Sequence, residues 1–369
     1  MALSHSPLIV TDGLVFMYDT GNRKSYVGEP TVNLITNSGT SNTGWVGHGW
    51  TGSQAISNDY SNTYEFTATN GWHNRTFDTG VTSGGTIYVT FEYKLKQQQT
   101  TQNQLFVLNG THLGSYTNWL GSGSMSFEWQ TFSGSFTANA NSSKIAIGPR
   151  GTDSSGLTDI VYIRNLQVEQ KSHATPFVNG TRSATQGLID RTGTSTIDIS
   201  NASFDSDAQM TFDGTDDTIN TGLFSGRNPT ADPFTIEAMV KSDITSGSRM
   251  WIDATSNGSN QRLYCAYAAT GTGTPMGIQG TAWSSSGVND TDYHHYVIVM
   301  DGSVARLYNN GEAHSTRNYT SYQIQALNIG GRNTYRWLGD IPIFKLYNRA
   351  LTSAEVLQNF NATKSRFGL

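Results

Sequence analysis

The sequence predicts an all-β protein built from two β-sandwiches with one short C-terminal helix. Charged residues make up only 14% of the chain and glycines number 39, while short apolar segments recur between turns rich in glycine, asparagine, serine and threonine. This mixture is typical of proteins made of many short strands. A chain of 369 residues is also long enough to bury two separate cores.

The charge of the chain argues against nucleic acid as a partner. The net charge is −5, and lysines and arginines never cluster beyond a dipeptide, so a phosphate backbone has nothing to neutralise. No apolar run reaches the length of about 18 residues that a membrane-spanning helix needs. The first residues also lack the charged and apolar regions of a signal peptide. We therefore expect no membrane insertion and no export by that route.

The first predicted strand, Leu14 to Tyr18, has no local partner, because a polar turn follows it as far as Pro30. An isolated apolar strand would be an exposed edge unless it joined a distant sheet. We therefore predict that residues 1–30 and 185–369 form one sandwich and that residues 31–180 form a second sandwich inserted into it. Insertions are tolerated where the ends of the inserted chain lie close together on a surface.

The inserted region contains the clearest alternating strand of the sequence, TIYVTFEYKL at residues 86–95. Its odd-numbered residues from Ile87 to Leu95 are apolar and share one face, which must meet a second sheet. A polar run at residues 97–104 predicts a loop, and further short strands follow. The polar segment after Glu169, which contains Pro176 and has no periodicity, marks the second domain boundary.

The second part of the other sandwich begins with FTIEAMVK at residues 234–241, where Phe234 and Ile236 face one way and Glu237 the other. His294 and His295 are adjacent and point to opposite faces of their strand, so they form no simple two-histidine metal site. We expect one to be packed and the other to face solvent. The dipeptides Asp301-Gly302 and Asn310-Gly311 predict two tight hairpin turns.

The stretch from Ala326 to Phe360 predicts two strands, a polar loop between them at residues 332–337, and a capped helix. Pro342 has no N–H to donate, so it indicates a sheet edge or a bulge. Thr352 and Glu355 have the spacing of a capping box. Leu351 and Val356 occupy the positions of a hydrophobic staple.

These segments carry a resemblance to a known family. The terminal sandwich resembles the concanavalin-like, laminin-G-type jelly-roll domains of tailed-phage virion proteins. The middle sandwich resembles a jelly roll of the carbohydrate-binding-module type. The first likeness rests on GLVFMYDTGNRKSY, FDGTDDTINTG, FTIEAMVK, HHYVIVMDGSVARLYNNGE and the last 41 residues from IGGRNTYRW onwards; the second rests on NLITNSG and YIRNLQVEQKSHATPFV.

The resemblance implies a structural protein on the surface of a phage particle, as a capsid decoration or a component of the tail or its fibres. Such a protein would be made in the host cytoplasm and would contact other virion proteins, as a homo-oligomer or within a particle lattice. Modules of this type often bind glycans, so the expected role is adhesion or decoration, with rim loops that contact either a cell-surface glycan or a neighbouring virion protein. A free carbohydrate-binding protein without a particle is the alternative.

A glycan-degrading enzyme is the second alternative, and the residues argue against it. Retaining hydrolysis of glycosides needs two carboxylates about 5 to 5.5 Å apart, which an E-x-D-x-x-E strand would supply. The sequence contains no such run, and none of its eight glutamates has that pairing. Carboxylates distant in sequence could still meet. We expect the protein not to be an enzyme.

Aromatic residues are the best candidates for contact with a glycan, because sugar faces stack on flat rings beside polar side chains. The alternative for each candidate is packing beneath a loop. Trp129, in FEWQTF, is expected in the core instead. In the middle sandwich the candidates are Trp50, Trp72 and Trp119, which are predicted to lie in loops rich in glycine and asparagine. In the terminal sandwich they are Trp283, Tyr335 and Trp337, in or beside predicted loops, with Arg332 close by.

Three aspartates form the candidate for a metal site. Asp213, Asp216 and Asp217 lie within five residues beside Gly214. Oxygen-rich turns of this kind can hold Ca²⁺, with backbone carbonyls completing the coordination shell. The alternative is that aspartate and glycine simply form the turn between two strands. The sequence indicates no other cofactor.

Overall fold

The computed structural model describes residues 8–99, 104–109, 118–120, 125–138, 144–150, 158–245, 249–256, 263–267, 276–278, 281–283, 290–320, 323–333 and 335–369. The chain divides into two compact units, which we call the terminal unit and the middle unit. The terminal unit comprises Met1–Pro30, Ser183–Asp205 and Gln209–Leu369, and the middle unit comprises Thr31–Arg182 with Ser206–Ala208.

The described chain is almost entirely β-structure, as the sequence predicts. The terminal unit begins with β1 (Leu14–Asp19). The middle unit contains β2 (Thr31–Val32), β3 (Trp45–Ile56), β4 (Thr63–Asp78), β5 (Thr86–Gln97), β6 (Gln104–Asn109), β7 (Asn118–Leu120), β8 (Gln130–Thr137), β9 (Lys144–Arg150), β10 (Asp159–Glu169) and β11 (Thr181–Arg182).

The terminal unit then continues with the short helix α1 (Ala184–Gly187) and the remaining strands. These are β12 (Ser203–Phe204), β13 (Met210–Asp213), β14 (Ile219–Asn220), β15 (Phe234–Ser242), β16 (Arg249–Ser256), β17 (Leu263–Tyr267), β18 (Met276–Ile278), β19 (Thr281–Trp283), β20 (Tyr293–Asp301), β21 (Val304–Asn309), β22 (Glu312–Asn318), β23 (Ile324–Ile329) and β24 (Leu338–Tyr347). Helix α2 (Ser353–Thr363) and a 3₁₀ turn (Lys364–Phe367) end the chain.

Two antiparallel sheets form the terminal unit. The larger has the order β12-β13-β24-β15-β20-β21-β22, with β1 also paired to β24, and the smaller has the order β14-β23-β16-β17-β18-β19. Alternate residues of both sheets meet in one apolar core; Ile236 and Phe344 come from the first sheet, and Ile252 and Leu327 from the second. The terminal unit is therefore a β-sandwich, as predicted.

Strand β1 joins the terminal sandwich, which confirms the prediction for the N-terminal strand. It pairs antiparallel with β24, with Tyr18 opposite Phe344 and Asp19 opposite Ile343. Strand β24 pairs with β15 along its other edge, so it lies inside the sheet. The register with β15 shifts between Met239 and Lys241, beside Pro342. Of the two readings of Pro342, the bulge is therefore right and the sheet edge is wrong.

The two predicted hairpin turns are confirmed. Strands β20 and β21 pair across Asp301-Gly302, and β21 and β22 pair across Asn310-Gly311. Gly302, Asn310 and Gly311 have φ angles of 64°, 50° and 83°. Asparagine and glycine populate this left-handed region more readily than other residues, which is why the dipeptides identify the turns.

Helix α2 covers the outer face of the larger sheet. Its capping box is formed as predicted: the Glu355 N–H donates to Thr352 Oγ1 at 3.3 Å, and the Thr352 N–H donates to Glu355 Oε2 at 2.8 Å. Leu351 and Val356 pack in one apolar cluster with Val297 of β20. The side chains on β20 that point away from the core are therefore buried by the helix.

A buried polar network lies beneath the same helix. Glu237 Oε1 accepts from Lys345 Nζ at 2.5 Å and lies 2.9 Å from His295 Nε2. Its Oε2 accepts from Asn359 Nδ2 of α2 at 2.6 Å. Both His294 and His295 are buried, so the expectation that one of them faces solvent is wrong. The alternation of faces was predicted correctly, but the helix covers the second face.

The middle unit has one eight-stranded sheet and a two-stranded sheet. The order in the larger sheet is β7-β6-β9-β4-β10-β5-β8, with β3 paired along β4. Strand β4 pairs with β10 through residues 63–68 and with β9 through residues 72–78. Ile87 and its alternate neighbours lie in the apolar core, as predicted. In the described part of the chain, no helix is both long and apolar enough to span a membrane.

Candidate functional site

Residues 330–337 form the loop between β23 and β24 of the terminal sandwich, and backbone hydrogen bonds hold this loop as a turn. Gly330, Gly331 and Asn333 have φ angles of 86°, 79° and 51°. The Tyr335 N–H donates to the Arg332 carbonyl at 3.0 Å, and the Tyr335 carbonyl accepts from the N–H of Met250 at 3.0 Å. Backbone hydrogen bonds on both sides therefore fix the main chain at Tyr335, a residue that is 39% exposed.

Trp337, at the other end of the loop, is not available to a ligand. Its side chain is fully buried in the core between the two sheets. Its backbone N–H donates to the Gly330 carbonyl at 3.0 Å. Packing beneath the loop is therefore the correct reading of Trp337. Among the aromatic candidates of this loop, Tyr335 is the exposed one.

Arg332 is held by a carboxylate that the sequence reasoning missed. Its Nε lies 3.0 Å from Oδ2 of Asp253, a fully buried residue on β16. Burial raises the pKa of Asp253 to about 6, and the Arg332 guanidinium opposes that shift. The signal in the sequence was one acid within the apolar strand segment MWIDA. A single acid gives no indication of the partner that lies 79 residues further along the chain.

The three predicted aspartates lie at the end of β13, which includes Asp213, and on the turn that follows it. Carboxylate oxygens of Asp213, Asp216 and Asp217 lie within 4.8 Å of one another. Asp217 is buried and accepts from Ser203 Oγ at 3.2 Å and from the Asp213 N–H, while Asp213 Oδ1 accepts from the Thr215 N–H at 2.7 Å. Burial, with the charges of Asp213 and Asp216, raises the pKa of Asp217 to about 6.

These contacts bear on both readings of the aspartates. The hydrogen bonds of Asp213 and Asp217 stabilise the turn itself, as the simpler reading requires. The three carboxylates are also close enough to share one hard cation, and the charges of Asp213 and Asp216 add to the effect of burial in raising the pKa of Asp217. The cluster therefore has oxygen ligands suited to Ca²⁺, and turn formation alone also accounts for its geometry.

Arg249 links this turn to the 330–337 loop. Its Nη1 donates to the Gly214 carbonyl at 2.9 Å and to the Arg336 carbonyl at 3.3 Å. Two segments about 120 residues apart in the sequence thus lie side by side. We call this combination of Arg249, the 213–217 turn and the 330–337 loop the terminal rim. It contains an exposed tyrosine together with arginines and carboxylates. An aromatic ring can stack on a sugar, and the charged groups can hydrogen-bond its hydroxyls.

The four remaining aromatic candidates are Trp50 on β3, Trp72 on β4, Trp119 on β7 and Trp283 on β19. The prediction that Trp50, Trp72 and Trp119 lie in loops is therefore wrong. The side chains of all four lie outside the described part of the structure. Trp129 is likewise not a core residue: its ring is half-buried at the surface, with the Arg164 guanidinium 3.8 Å from the ring centroid.

A family model described as the concanavalin A-like lectin/glucanases superfamily, Laminin_G_3, matches residues 213–357. A search of curated proteins finds no match. Among solved structures, Trypanosoma rangeli sialidase in complex with the inhibitor DANA is 15% identical with a TM-score of 0.40, and the match covers 56% of this chain and 41% of the sialidase. The chain therefore spans well under half of that relative.

Two binding domains of toxins are also similar. The binding domain of botulinum neurotoxin serotype D is 11% identical with a TM-score of 0.37, over 49% of this chain and 50% of that domain. The binding domain of Paraclostridial Mosquitocidal Protein 1 is 14% identical with a TM-score of 0.37, over 47% and 49%. The match of the family model, together with the sandwich described above, shows that the chain contains a concanavalin-like domain.

Proposed function

We propose that the protein is a non-enzymatic surface protein of a phage particle that binds glycan through the terminal rim. Its role is adhesion or decoration, as part of the capsid surface or of the tail and its fibres. The observation that carries the proposal is the exposed residue Tyr335, whose backbone is held by hydrogen bonds on both sides. A loop backbone that is ordered before binding loses little conformational entropy when a sugar stacks on the tyrosine.

The groups around Tyr335 supply the polar half of the site. Arg332 is oriented by the buried carboxylate of Asp253, and Arg336 donates from its Nη1 to the Gly331 carbonyl at 3.1 Å. The carboxylates of the 213–217 turn lie across Arg249 and can accept from sugar hydroxyls. Stacking on the ring would set the position of the sugar, and the charged groups would select its hydroxyl pattern.

We further propose that the middle unit is an inserted module of the carbohydrate-binding type. On a particle, the protein would assemble as a homo-oligomer or in a lattice with other virion proteins, which would multiply weak contacts with a glycan surface. The resemblance of both units to modules of virion proteins supports this placement, and the division of the chain into two compact units supports the description of the middle unit as inserted.

Glycan-array binding tests the function of the rim. We expect wild-type protein to bind, Tyr335→Phe to retain binding because it keeps the ring, and Tyr335→Ala to lose about tenfold or more in affinity. Equal binding by Tyr335→Ala and wild type would refute the assignment of the rim.

Two further experiments test the remaining parts of the proposal. Immunogold labelling of purified particles should decorate the virion surface, and unlabelled particles would favour a free carbohydrate-binding protein. Incubation with bound polysaccharides should release no reducing ends. Their release, and its loss on changing carboxylates such as Asp253, would make the protein a glycan-degrading enzyme.

A further inference from the structure

Three polar side chains from three different elements of the terminal unit meet beneath helix α2. Glu237 of β15, Lys345 of β24 and Asn359 of α2 are each 0% exposed. One carboxylate oxygen of Glu237 accepts from Lys345 Nζ at 2.5 Å, and the other accepts from Asn359 Nδ2 at 2.6 Å. A primary amine and a primary amide are therefore held on the two oxygens of a single carboxylate.

The amide of Asn359 is fixed in one orientation by its other contacts. Its Oδ1 accepts from the backbone N–H of Val10 at 2.7 Å, and its Nδ2 also donates to the Tyr347 hydroxyl at 2.9 Å. A donor aimed at a carbonyl oxygen polarises the C=O bond and stabilises the negative charge that develops there when a nucleophile attacks the carbon. The Val10 N–H is placed as such an oxyanion donor.

The surroundings of Lys345 favour the neutral form of its amine, which is the nucleophilic one. Charges are costly away from water, so a proton that passes from Lys345 to Glu237 removes two charges from the buried site. Burial opposes the ionisation of Glu237, but the charge of Lys345 and the hydrogen bond from His295 lower its pKa to about 2. The carboxylate is therefore ionised beside the ammonium and can accept its proton directly.

We propose that Lys345 and Asn359 become joined by an intramolecular isopeptide bond, with Glu237 as general base and then general acid. The lone pair of Nζ forms a bond to Cγ of Asn359, and the electron pair of the C=O bond moves to Oδ1 beside the Val10 N–H. The carbonyl then re-forms and the Cγ–Nδ2 bond breaks. Glu237 carries two protons in turn from Nζ to Nδ2, which leaves as ammonium, so Glu237 ends as the carboxylate it was at the start.

The fold brings the reacting groups together, because Glu237 and Lys345 are 108 positions apart in the sequence. Holding an amine and an amide next to a shared base replaces an encounter in solution by a reaction within one molecule. The bond therefore forms only in the folded terminal unit. It is independent of glycan binding at the terminal rim.

The bond ties the last helix of the chain to a strand inside the larger sheet. Strand β24 pairs with β1 on one side and with β15 on the other. Val356 of α2 lies in one apolar cluster with Val10, which precedes β1. A covalent link between β24 and α2 keeps the helix over this cluster, so both ends of the terminal unit remain attached to the sheet.

Mass spectrometry of the denatured full chain tests the proposal directly. Folded wild-type protein should be lighter than the mass calculated from its sequence by one ammonia molecule, about 17 Da. Trypsin should not cleave after Lys345, and the digest should contain a branched peptide that joins residues 337–349 to residues 350–364. Fragmentation of this peptide locates the bond, which separates it from ammonia lost when an asparagine before glycine, such as Asn310, cyclises.

Three variants assign the roles. Glu237→Gln keeps the size of the side chain but removes the base, and Lys345→Met removes the nucleophile, so both should have their full calculated masses. Lys241→Met is the matched control: Lys241 also lies on β15, but it pairs with Asp243 at 3.8 Å and is partly exposed. This variant should retain the loss of ammonia. Near-ultraviolet circular dichroism checks that each variant is folded.

The measurement on wild-type protein decides the proposal even if a variant fails to fold. Wild-type protein at its full calculated mass, or a loss of ammonia that maps to other residues, would overturn the proposal. A bond between residues 345 and 359 in Glu237→Gln would overturn the role assigned to the carboxylate.

Discussion

Replacing Lys345 with methionine should strongly destabilise the terminal unit. The ammonium of Lys345 lies 2.5 Å from Glu237 Oε1, and the two side chains are 0% and 1% exposed. Its loss leaves a buried carboxylate without its countercharge, which costs about 3–5 kcal/mol in comparable buried pairs. Because His295 and Asn359 still contact the carboxylate, we expect the lower end, about 3 kcal/mol.

The double variant Glu237→Met/Lys345→Met separates the ion pair from simple loss of packing. Replacing both charges with apolar groups of similar size removes the unpaired charge as well as the attraction. We therefore expect it to be less destabilised than the sum of the two single variants, with a coupling of about 2 kcal/mol or more. The single variant Glu237→Met supplies the remaining measurement of this double-mutant cycle.

Hydrogen exchange read by mass spectrometry suits this protein, because a chain of two units need not unfold in a single step. Peptides from β15 and β24 report on the terminal unit, and peptides from β5 and β10 of the middle unit are the internal control. We expect the opening free energy to fall only in the first set. Two results would refute the reasoning: a fall of less than about 1 kcal/mol in the opening free energy of Lys345→Met, or a double variant whose loss of stability equals the sum of the losses in the two single variants.

Three other predictions concern the helix cap, pH and the rim. Thr352→Ala should lower protection of the first turn of α2 by about 1 kcal/mol in hydrogen exchange, whereas Thr352→Ser should not. Because burial raises the pKa of both Asp217 and Asp253 to about 6, the folded unit binds protons more readily than the unfolded chain. Lowering the pH from 7 to 5 should therefore stabilise the terminal unit by on the order of 1 kcal/mol for each group, measured by calorimetry, and less in Asp217→Asn. Gly331→Ala would place a Cβ 2.3 Å from the Tyr335 carbonyl at a φ of 79°, so it should distort the loop and abolish glycan binding at the rim; normal binding would contradict this.

Features with a local cause were predictable from the sequence. The Asn310-Gly311 turn follows from the φ preferences of two adjacent residues. The cap of α2 needs only Thr352 and Glu355, three positions apart. The alternation that places Ile87 in the core is a property of one strand. The position of the 330–337 loop could also be predicted, because a polar segment separates two strand patterns there.

The residues that form the candidate sites were harder to predict from the sequence, because they depend on whether another layer of structure covers each face of a strand. Trp337 and Tyr335 are two residues apart in one polar loop, yet one lies in the core and the other in solvent. Trp129 sits in an apolar-looking segment but stacks on an arginine from another strand. Sequence periodicity distinguishes two faces of a strand and does not reveal whether a second layer covers either of them.

The sequence alone therefore determined the all-β class, the hairpins, the capped helix and the need for β1 to find a distant sheet, because each depends on backbone preferences or on apolar surface that must be buried. Tertiary structure alone decided that Arg249 joins the acidic turn to the loop, that Asp253 holds Arg332, and that a helix buries Glu237 with Lys345. Contacts between residues 35 to 108 positions apart depend on strand order and register, which local propensities do not specify.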